Sequence, residues 1–287
     1  MRSIFKSITA GAFIAAATLA FFGDRSCQVA IADPAPTLQI AVIAKSTVNA
    51  YWKAVEAGAK KAGAEFNVKI LWDGPDAETN HSQQANMVDN MANKGVNGIV
   101  LAPTNVNALV RPVESAVAKG IPVVLIDSTL NSDKPVSVVA TDNYAAGKQA
   151  AEALIAAMGS THKHGGKVIM LRFLEGSGST EAREKGFADR ISQEPGLSLS
   201  DTAYTKGGGS TTDAADTADA LLRRVTSDGT LQVDGIFASN QPTALGMLAK
   251  LDQFRAQGVN IDVVSGATYT SDAFAQSLQS ALQKAGK

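Results

Sequence analysis

The sequence predicts an α/β fold in which two doubly wound parallel-sheet lobes enclose a cleft. Short continuous runs of aliphatic and β-branched residues alternate along the chain with longer runs of helical periodicity. Continuous apolar runs are typical of parallel strands that helices cover on both faces. Nine such runs could form one sheet, but two smaller sheets fit a chain of 287 residues better.

Strands are predicted where the apolar runs are short, at residues 38–44, 68–72, 98–101, 122–126, 136–140, 167–171, 197–205, 235–238 and 261–264. Helices are predicted at residues 51–66, 80–93, 107–119, 144–158, 180–193, 212–225, 243–257 and 271–284. Gly63, Gly95, Gly120 and Gly258 lie at or near helix ends, where a left-handed residue stops a helix. Pro112 lies early in its helix, where a missing N–H costs little.

The chain is predicted to pass between the lobes near Thr141. The strand at 136–140 follows the strand at 122–126 with no helix between them. This missing crossover helix marks the later strand as the boundary strand. The predicted organisation is a signal peptide at 1–32, an N-terminal α/β lobe at 33–141 and a C-terminal α/β lobe at 142–287.

The N-terminus has the features of a secretory signal peptide. Arg2 and Lys6 precede an apolar stretch at 8–22, and a small-x-small sequence ends at Ala32. The stretch is shorter than the roughly twenty residues that span a bilayer, which favours cleavage after Ala32 over a membrane anchor. Lipidation of Cys27 is a third reading, which the residues before it fit poorly. We therefore expect a periplasmic protein.

Composition narrows the function classes. A net charge of −1 gives no reason to expect binding to nucleic acid or to anionic membranes. The single cysteine, Cys27, lies in the segment expected to be removed. His162 and His164 have alternate spacing, but with no neighbouring Cys or carboxylate a solvated loop is favoured over a metal site. The sequence has neither a G-x-S-x-G nor an H-E-x-x-H motif. We expect no catalytic residue, metal or cofactor.

Polar residues follow the predicted strands at their carboxyl ends, where open α/β sheets bind ligands. The candidates are Lys45, Asn49, Asp127, Asp142, Asn143, Arg183 and Asn240. For several of these residues a purely structural role is a second interpretation. Asp142, Asn143 and Asn240 also precede helices, where their side chains would act as caps. Lys45 also fits a solvated surface position.

Six ordered segments, at 40–59, 98–105, 120–128, 140–152, 179–187 and 235–246, resemble the type I periplasmic sugar-binding proteins of ABC importers, in particular the ribose-binding class. Lys45 and the Trp-Asp-Gly-Pro segment at 72–75 also resemble the autoinducer-2-binding branch. The resemblance implies a receptor that binds a monosaccharide or small polyol and delivers it to membrane permease subunits. It also implies a monomer that makes and breaks no bond.

The resemblance also implies roles for single residues. Asn49 precedes the aromatic pair Tyr51 and Trp52, one of which would stack on the apolar face of a sugar, unless the pair is plain core. Asp127 and Arg183 would bind hydroxyls through charge-assisted hydrogen bonds, as would the amide of Asn240. Arg183 alternatively pairs with a neighbouring glutamate on its helix.

The chain departs from the ribose pattern at three places, which makes ribose itself a poor candidate. Ser128 stands where the family has an arginine, the second-lobe aromatic would fall near Gly209, and 264–269 has no acidic residue. The family also continues beyond the position of Lys287 with a hinge strand and a further strand and helix. We therefore expect a chain that is C-terminally short of its family.

Two other functions stay open. The same fold would serve a sensory or autoinducer-2-type receptor that docks on a chemoreceptor or a histidine kinase. A sugar-responsive regulator core is less favoured, because the chain begins with a signal peptide where such a regulator has a DNA-binding helix-turn-helix.

Overall fold

The computed structural model describes residues 37–159 and 162–265, without the side chains of the last two. The signal peptide and Cys27, the helix predicted at 271–284 and most of the 264–269 segment lie outside the described residues. Within the described ranges, no helix is both long and apolar enough to cross a bilayer.

The strands are β1 (Gln39–Ile43), β2 (Lys69–Asp73), β3 (Gly98–Leu101), β4 (Val123–Ile126), β5 (Ser137–Val139), β6 (Lys167–Arg172), β7 (Ser198–Tyr204), β8 (Thr226–Ser227), β9 (Thr230–Leu231), β10 (Gly235–Ala238) and β11 (Val264–Ser265). The helices are α1 (Ala50–Glu65), α2 (His81–Asn93), α3 (Val110–Ala118), α4 (Asn143–Met158), α5 (Gly178–Ser192), α6 (Thr211–Arg224) and α7 (Gln241–Ala256). Pro112 is the third residue of α3, as expected.

The strands form two parallel sheets, which confirms the predicted fold class. The first sheet has the order β2-β1-β3-β4-β5 and the second has the order β11-β10-β6-β7. β5 pairs with β4 in the first sheet, and the next strand, β6, belongs to the second sheet. Thr141 lies in the segment between β5 and α4.

Helices cover both faces of the second sheet, and the alternation along β6 shows it. Ile169 and Leu171 pack in one cluster with α6 and α7, whereas Val168 and Met170 pack in another with α4 and α5. The Phe187 and Phe237 rings stack within the second cluster, with centroids 4.0 Å apart. The first sheet has its own core around Ile43, Leu101, Val113, Val123 and Leu125.

The prediction that every strand is buried is wrong for the edge strands β2, β5 and β7. β10 is buried throughout, but β5 is exposed along its length, and β7 alternates between exposed and half-buried residues in its first five positions. An edge strand pairs on one side only, and helices cover it incompletely.

The last predicted strand and one hairpin also differ from expectation. The structure has β11 at Val264–Ser265 instead of 261–264, because Asn260 is tied to the hairpin of β8 and β9 by two backbone hydrogen bonds. This antiparallel hairpin was not predicted. Its loop is Asp228-Gly229, with φ of 51° and 68°. Asp-Gly is the preferred pair for such two-residue loops, so the signal was present.

Gly63 does not have the expected stop role. Gly95, Gly120 and Gly258 have positive φ, but Gly63 lies within α1, and the left-handed residue after α1 is Asn67 at φ 51°. A Cβ on Gly63 would lie 2.6 Å from a side-chain carbon of Ile70, so this glycine allows close packing of α1 on β2.

A close helix crossing sets the position of α5. A Cβ on Gly147 of α4 would lie 1.9 Å from the carbonyl oxygen of Arg183, and one on Gly186 of α5 would lie 2.0 Å from the carbonyl oxygen of Tyr144. Glycine at both points lets the two backbones touch. Arg183 is therefore held close to the start of α4.

Candidate functional site

The site is built around an ion pair at the carboxyl ends of β1 and β4. Lys45 Nζ lies 2.7 Å from Asp127 Oδ2, and their side chains are 3% and 18% exposed. Asp127 has a φ of 64° in the tight turn after β4, where aspartate is one of the few residues that adopt the left-handed region at modest cost. This turn directs the carboxylate toward Lys45.

Ser128 and two serines at the start of α5 complete the surroundings of Lys45. Its ammonium donates to Ser128 Oγ at 2.6 Å and to the hydroxyls of Ser177 and Ser179 at 3.3 and 3.2 Å. Ser179 donates from its backbone N–H to Ser128 Oγ at 3.0 Å and from its hydroxyl to Asp127 Oδ2 at 3.3 Å. The start of α5, which packs on the second sheet, therefore meets the carboxyl ends of β1 and β4 at this point.

The aromatic pair divides between the core and the site. Trp52 is 2% exposed and packs in a small cluster with Ala44 and Ala102. Tyr51 is 38% exposed, stands edge-on to Trp52 with ring centroids 4.9 Å apart, and donates from its hydroxyl to Asp127 Oδ1 at 3.2 Å. Tyr51 is therefore the aromatic residue that reaches the ion pair.

Glu78, which the sequence analysis missed, belongs to the same cluster. Its Oε1 accepts hydrogen bonds from Trp52 Nε1 at 2.9 Å and from Asn49 Nδ2 at 3.4 Å. Glu78 lies in the loop after β2, at the carboxyl end of the first sheet. Searching a few residues further past each predicted strand would have found it.

The side chain of Arg183, on α5, is held by a residue that follows β10 and by the first residue of α4. Its guanidinium donates to the carbonyl oxygen of Ser239 and to Asn143 Oδ1, both at 2.5 Å. It does not pair with a glutamate on its own helix: Glu184 instead accepts from Arg172 Nε at 2.8 Å and from the backbone N–H of Phe173 at 2.8 Å. Asn143, the first residue of α4, is buried, and its side chain accepts a hydrogen bond from Arg183.

Three candidate residues cap helices. Asn49 caps α1 by accepting from the N–H of Trp52, and the exposed Asp142 caps α4 by accepting from the N–H of Ala145. Asn240 forms a reciprocal capping box with Thr243 at the start of α7. Capping uses one side-chain oxygen of each residue, and a ligand-binding role for these residues stays a prediction.

Burial and neighbouring charges shift the site's ionisable groups in different directions. Burial raises the pKa of Asp127, but Lys45, Ser128 and the charge of Arg183 outweigh it, so the pKa lies below its usual value. Burial raises the pKa of the Glu78 carboxyl despite the opposing charge of Lys45. Burial lowers the pKa of the Arg183 guanidinium, and burial together with the charge of Asp127 raises that of Tyr51.

The cluster supplies many hydrogen-bonding groups of both kinds. Two cations, Lys45 and Arg183, accompany two carboxyl groups, Asp127 and Glu78. Guanidinium, ammonium and carboxylate groups bind hydroxyls strongly, and the partly exposed ring of Tyr51 offers an apolar surface beside them. Such a set suits recognition of a molecule with several hydroxyl groups.

A groove of about 800 Å³ is lined mainly by residues of β7, α6 and the loop between them. Tyr204 of β7 and Glu175 of the loop after β6 line it on one side, and Thr79 of the loop after β2 and His81 at the start of α2 line it on the other. The groove thus has lining residues from both α/β halves, but Lys45, Asp127 and Arg183 do not line it.

The chain is similar to curated proteins over most of its length. The ribose import binding protein of Bacillus subtilis is 30% identical over 207 residues, which cover 71% of this chain and 62% of that protein. The xylitol-binding protein of Mycolicibacterium smegmatis is 30% identical over 202 residues, covering 70% and 54%. The chain thus spans less than two thirds of the length of these two relatives.

The chain is also similar to solved structures of solute-binding proteins. An ABC transporter solute-binding protein from Agrobacterium vitis with bound D-fucose has 33% identity and a TM-score of 0.70, covering 79% of this chain and 76% of that one. A carbohydrate transporter solute-binding protein from Agrobacterium radiobacter in complex with D-arabinose has 30% identity and a TM-score of 0.69, covering 86% and 90%.

These likenesses confirm the family resemblance stated from the sequence motifs. The profile of the periplasmic binding protein domain matches residues 40–286, which is most of the chain. This protein therefore belongs to the periplasmic binding protein domain family.

Proposed function

We propose that this protein is a periplasmic solute receptor that binds a monosaccharide or small polyol and delivers it to the permease subunits of an ABC importer. Its signal peptide, residues 1–32, is removed after Ala32. The lobes at 33–141 and 142–287 close on the ligand, and the closed form docks on the permease. The protein acts as a monomer, makes and breaks no bond, and binds no nucleic acid.

The observation that carries this proposal is the meeting of elements from both α/β halves at one polar cluster. Lys45 and Asp127 follow strands of the first sheet, and Ser177 and Ser179 lie at the start of α5, which packs on the second sheet, within hydrogen-bonding distance. A ligand bound at this meeting line touches both lobes, so its affinity is greater for the closed arrangement than for an open one.

An uncharged, hydroxyl-rich ligand fits the charge of the cluster. Lys45 and Asp127 already balance each other as an ion pair. Burying an anionic or cationic ligand here would leave a charge uncompensated, which is costly. The curated relatives named for ribose and xylitol, and the structures with D-fucose and D-arabinose, bind molecules of this class.

Ligand contacts are assigned to the groups nearest the meeting line. Tyr51 provides the aromatic ring that packs on the sugar, and the charged side chains of Lys45, Asp127 and Arg183 bind hydroxyls. The remaining predicted ligand residues lie at helix starts, and we assign them a supporting role: Asn49, Asp142, Asn143 and Asn240. Trp52 is buried and supports ligand binding by packing against the Tyr51 ring.

Calorimetric titration of the purified protein tests the proposal. The panel is D-fucose, D-arabinose, D-ribose, xylitol and autoinducer-2, and we expect binding near the micromolar range for one of them. Asp127→Ala should abolish it, whereas Asp133→Ala, at a carboxylate that is 86% exposed, should leave it unchanged. A flat panel from a folded protein contradicts the proposal. Conversion of a bound sugar to a product would instead identify an enzyme.

A further inference from the structure

Glu78 closes a ring of hydrogen bonds at the first turn of α1. Asn49 Oδ1 accepts the backbone N–H of Trp52 at 3.0 Å, which is an ordinary helix cap. Asn49 Nδ2 and Trp52 Nε1 both donate hydrogen bonds to Glu78 Oε1. One carboxylate oxygen thus ties the residue before α1 to the third residue of the helix.

Tyr51 lies between Asn49 and Trp52 in the sequence. Among the contacts described at the start of α1, it is the Tyr51 side chain that reaches Asp127. Its ring stands edge-on to that of Trp52, at an interplanar angle of 82°. Since Trp52 is buried and held through Nε1, it forms a fixed surface on which the Tyr51 ring rests. Moving Trp52 would therefore move the Tyr51 hydroxyl away from Asp127.

Charged and titratable groups face Glu78 from three elements. Lys45 faces it from the end of β1, Asp127 from the turn after β4, and Tyr51 from α1. Burial raises the pKa of Glu78, and the charge of Asp127 adds to the effect, while Lys45 and the two hydrogen bonds oppose it. Glu78 is therefore coupled electrically to the same ion pair that its hydrogen bonds help to surround.

We propose that Glu78 is a positioning residue for ligand binding: by holding Asn49 and Trp52, it places the Tyr51 ring and hydroxyl beside Asp127. This inference rests on the proposed function, because it assigns Tyr51 to the ligand. A carboxylate that served only as a local tie would affect the stability of the loop after β2 but not ligand recognition.

The first experiment compares two substitutions of Glu78 by calorimetry with D-fucose, D-arabinose, D-ribose and xylitol. Glu78→Gln keeps an oxygen that accepts from Trp52 Nε1, and we expect affinity within about threefold of the original protein. Glu78→Leu removes the acceptor, and we expect a loss of at least about tenfold. Glu65→Leu, at an exposed position at the other end of α1, is the matched control and should change nothing. Unchanged affinity in a folded Glu78→Leu protein would overturn the inference.

The second experiment needs no ligand. In ¹⁵N-labelled protein, the indole signals of Trp52 and Trp72 are distinguished by Trp52→Phe. We expect the Trp52 signal to titrate with a midpoint above the usual glutamate range and to lose this titration in Glu78→Gln. A titration that persists in Glu78→Gln would assign it to another group and overturn the contact, even if Glu78→Leu does not fold.

The two experiments separate the possible failures. A sugar that binds equally to all variants would overturn the role of Glu78 and leave the proposed function standing. A flat sugar panel together with a titrating Trp52 signal would overturn the proposed function and the ligand role of Glu78, while the hydrogen-bonded ring at the start of α1 would remain.

Discussion

Ser128 Oγ accepts the backbone N–H of Ser179 at 3.0 Å, so a residue at the end of one sheet caps a helix that packs on the other. Ser177, the N-cap residue of α5, makes no side-chain capping bond. The first N–H groups of a helix lack partners within it and carry partial positive charge, which suits the nearby Asp127 carboxylate. The hydrogen bond between Ser128 and Ser179 therefore both joins the two halves of the fold and caps the first turn of α5.

Replacing Ser128 with alanine should weaken this contact. The substitution removes the acceptor for Ser179 and a partner of Lys45, and the loss of a helix cap costs about 1 kcal/mol. We expect a lower urea midpoint and a larger radius of gyration in X-ray scattering. Ser132→Ala removes an exposed bond to Glu114 and serves as the control. Equal scattering by both variants and the original protein would argue against a cap that holds the sheets together.

Replacing Lys45 with methionine should be strongly destabilising. Asp127 would be left largely buried without its cation, and breaking a buried pair costs about 3–5 kcal/mol. Adding Asp127→Asn to Lys45→Met should restore part of the loss, because the uncompensated charge is then gone. The free energies of unfolding in urea measure this. A double variant that is no more stable than Lys45→Met would show that the charge is not the cause.

The stability of the protein should depend on pH in opposite ways at its two site carboxyls. The folded pKa of Asp127 lies below the unfolded value of about 3.9, so its contribution is present above that pH and is lost in acid. The folded pKa of Glu78 is raised, so its contribution is present below about 4.3 and is lost as pH rises through the folded value.

Melting temperatures from pH 3 to pH 8 test this difference in sign. Asp127→Asn should melt below the original protein at neutral pH, and the gap should narrow in acid. Glu78→Gln should melt above it at neutral pH, with a gain that disappears in acid. Parallel curves for all three proteins would refute both assignments.

Gly147→Ala should separate α4 from α5. The added methyl would lie 1.9 Å from the carbonyl oxygen of Arg183, and relieving the clash should cost at least about 1–3 kcal/mol. Gly58→Ala is the matched control, because nothing lies within 4 Å of its added methyl and alanine favours a helix by up to about 1 kcal/mol. Urea unfolding should therefore move in opposite directions. A tolerated Gly147→Ala would mean that the crossing has room.

Tyr51→Ala and Trp52→Ala should separate ligand contact from core packing. Tyr51 is partly exposed, so its loss should weaken the bound sugar by more than ~1 kcal/mol with little change in stability. Trp52 is buried, so its truncation should cost about 3–5 kcal/mol of stability, and it should also weaken the ligand by more than ~1 kcal/mol because Tyr51 rests on it. Calorimetry and thermal melting measure the two effects. Full affinity in Tyr51→Ala would remove this ring from the ligand contacts.

The sequence by itself determined the fold class and much of the site. Continuous apolar runs identify β3 and β10 at the residues where the structure has them, because burial on both faces leaves no place for polar residues. Lys45, Asp127 and Arg183 could be named because strand ends and helix starts are local features. The exposure of the edge strands was not predicted, because it depends on which strands lie at the side of each sheet. The β8–β9 hairpin was missed, since strands of two residues carry almost no periodic signal.

Only the tertiary structure decided which of these residues meet. Lys45 and Ser179 are 134 positions apart, and their contact depends on how two separately wound sheets are placed. The same placement makes Trp52 core and leaves Tyr51 beside Asp127, although the two are adjacent in sequence. Spacing encodes helices and strands because their hydrogen bonds are local. The partners of Glu78 and the close approach at Gly147 depend on packing between elements, which local spacing does not encode.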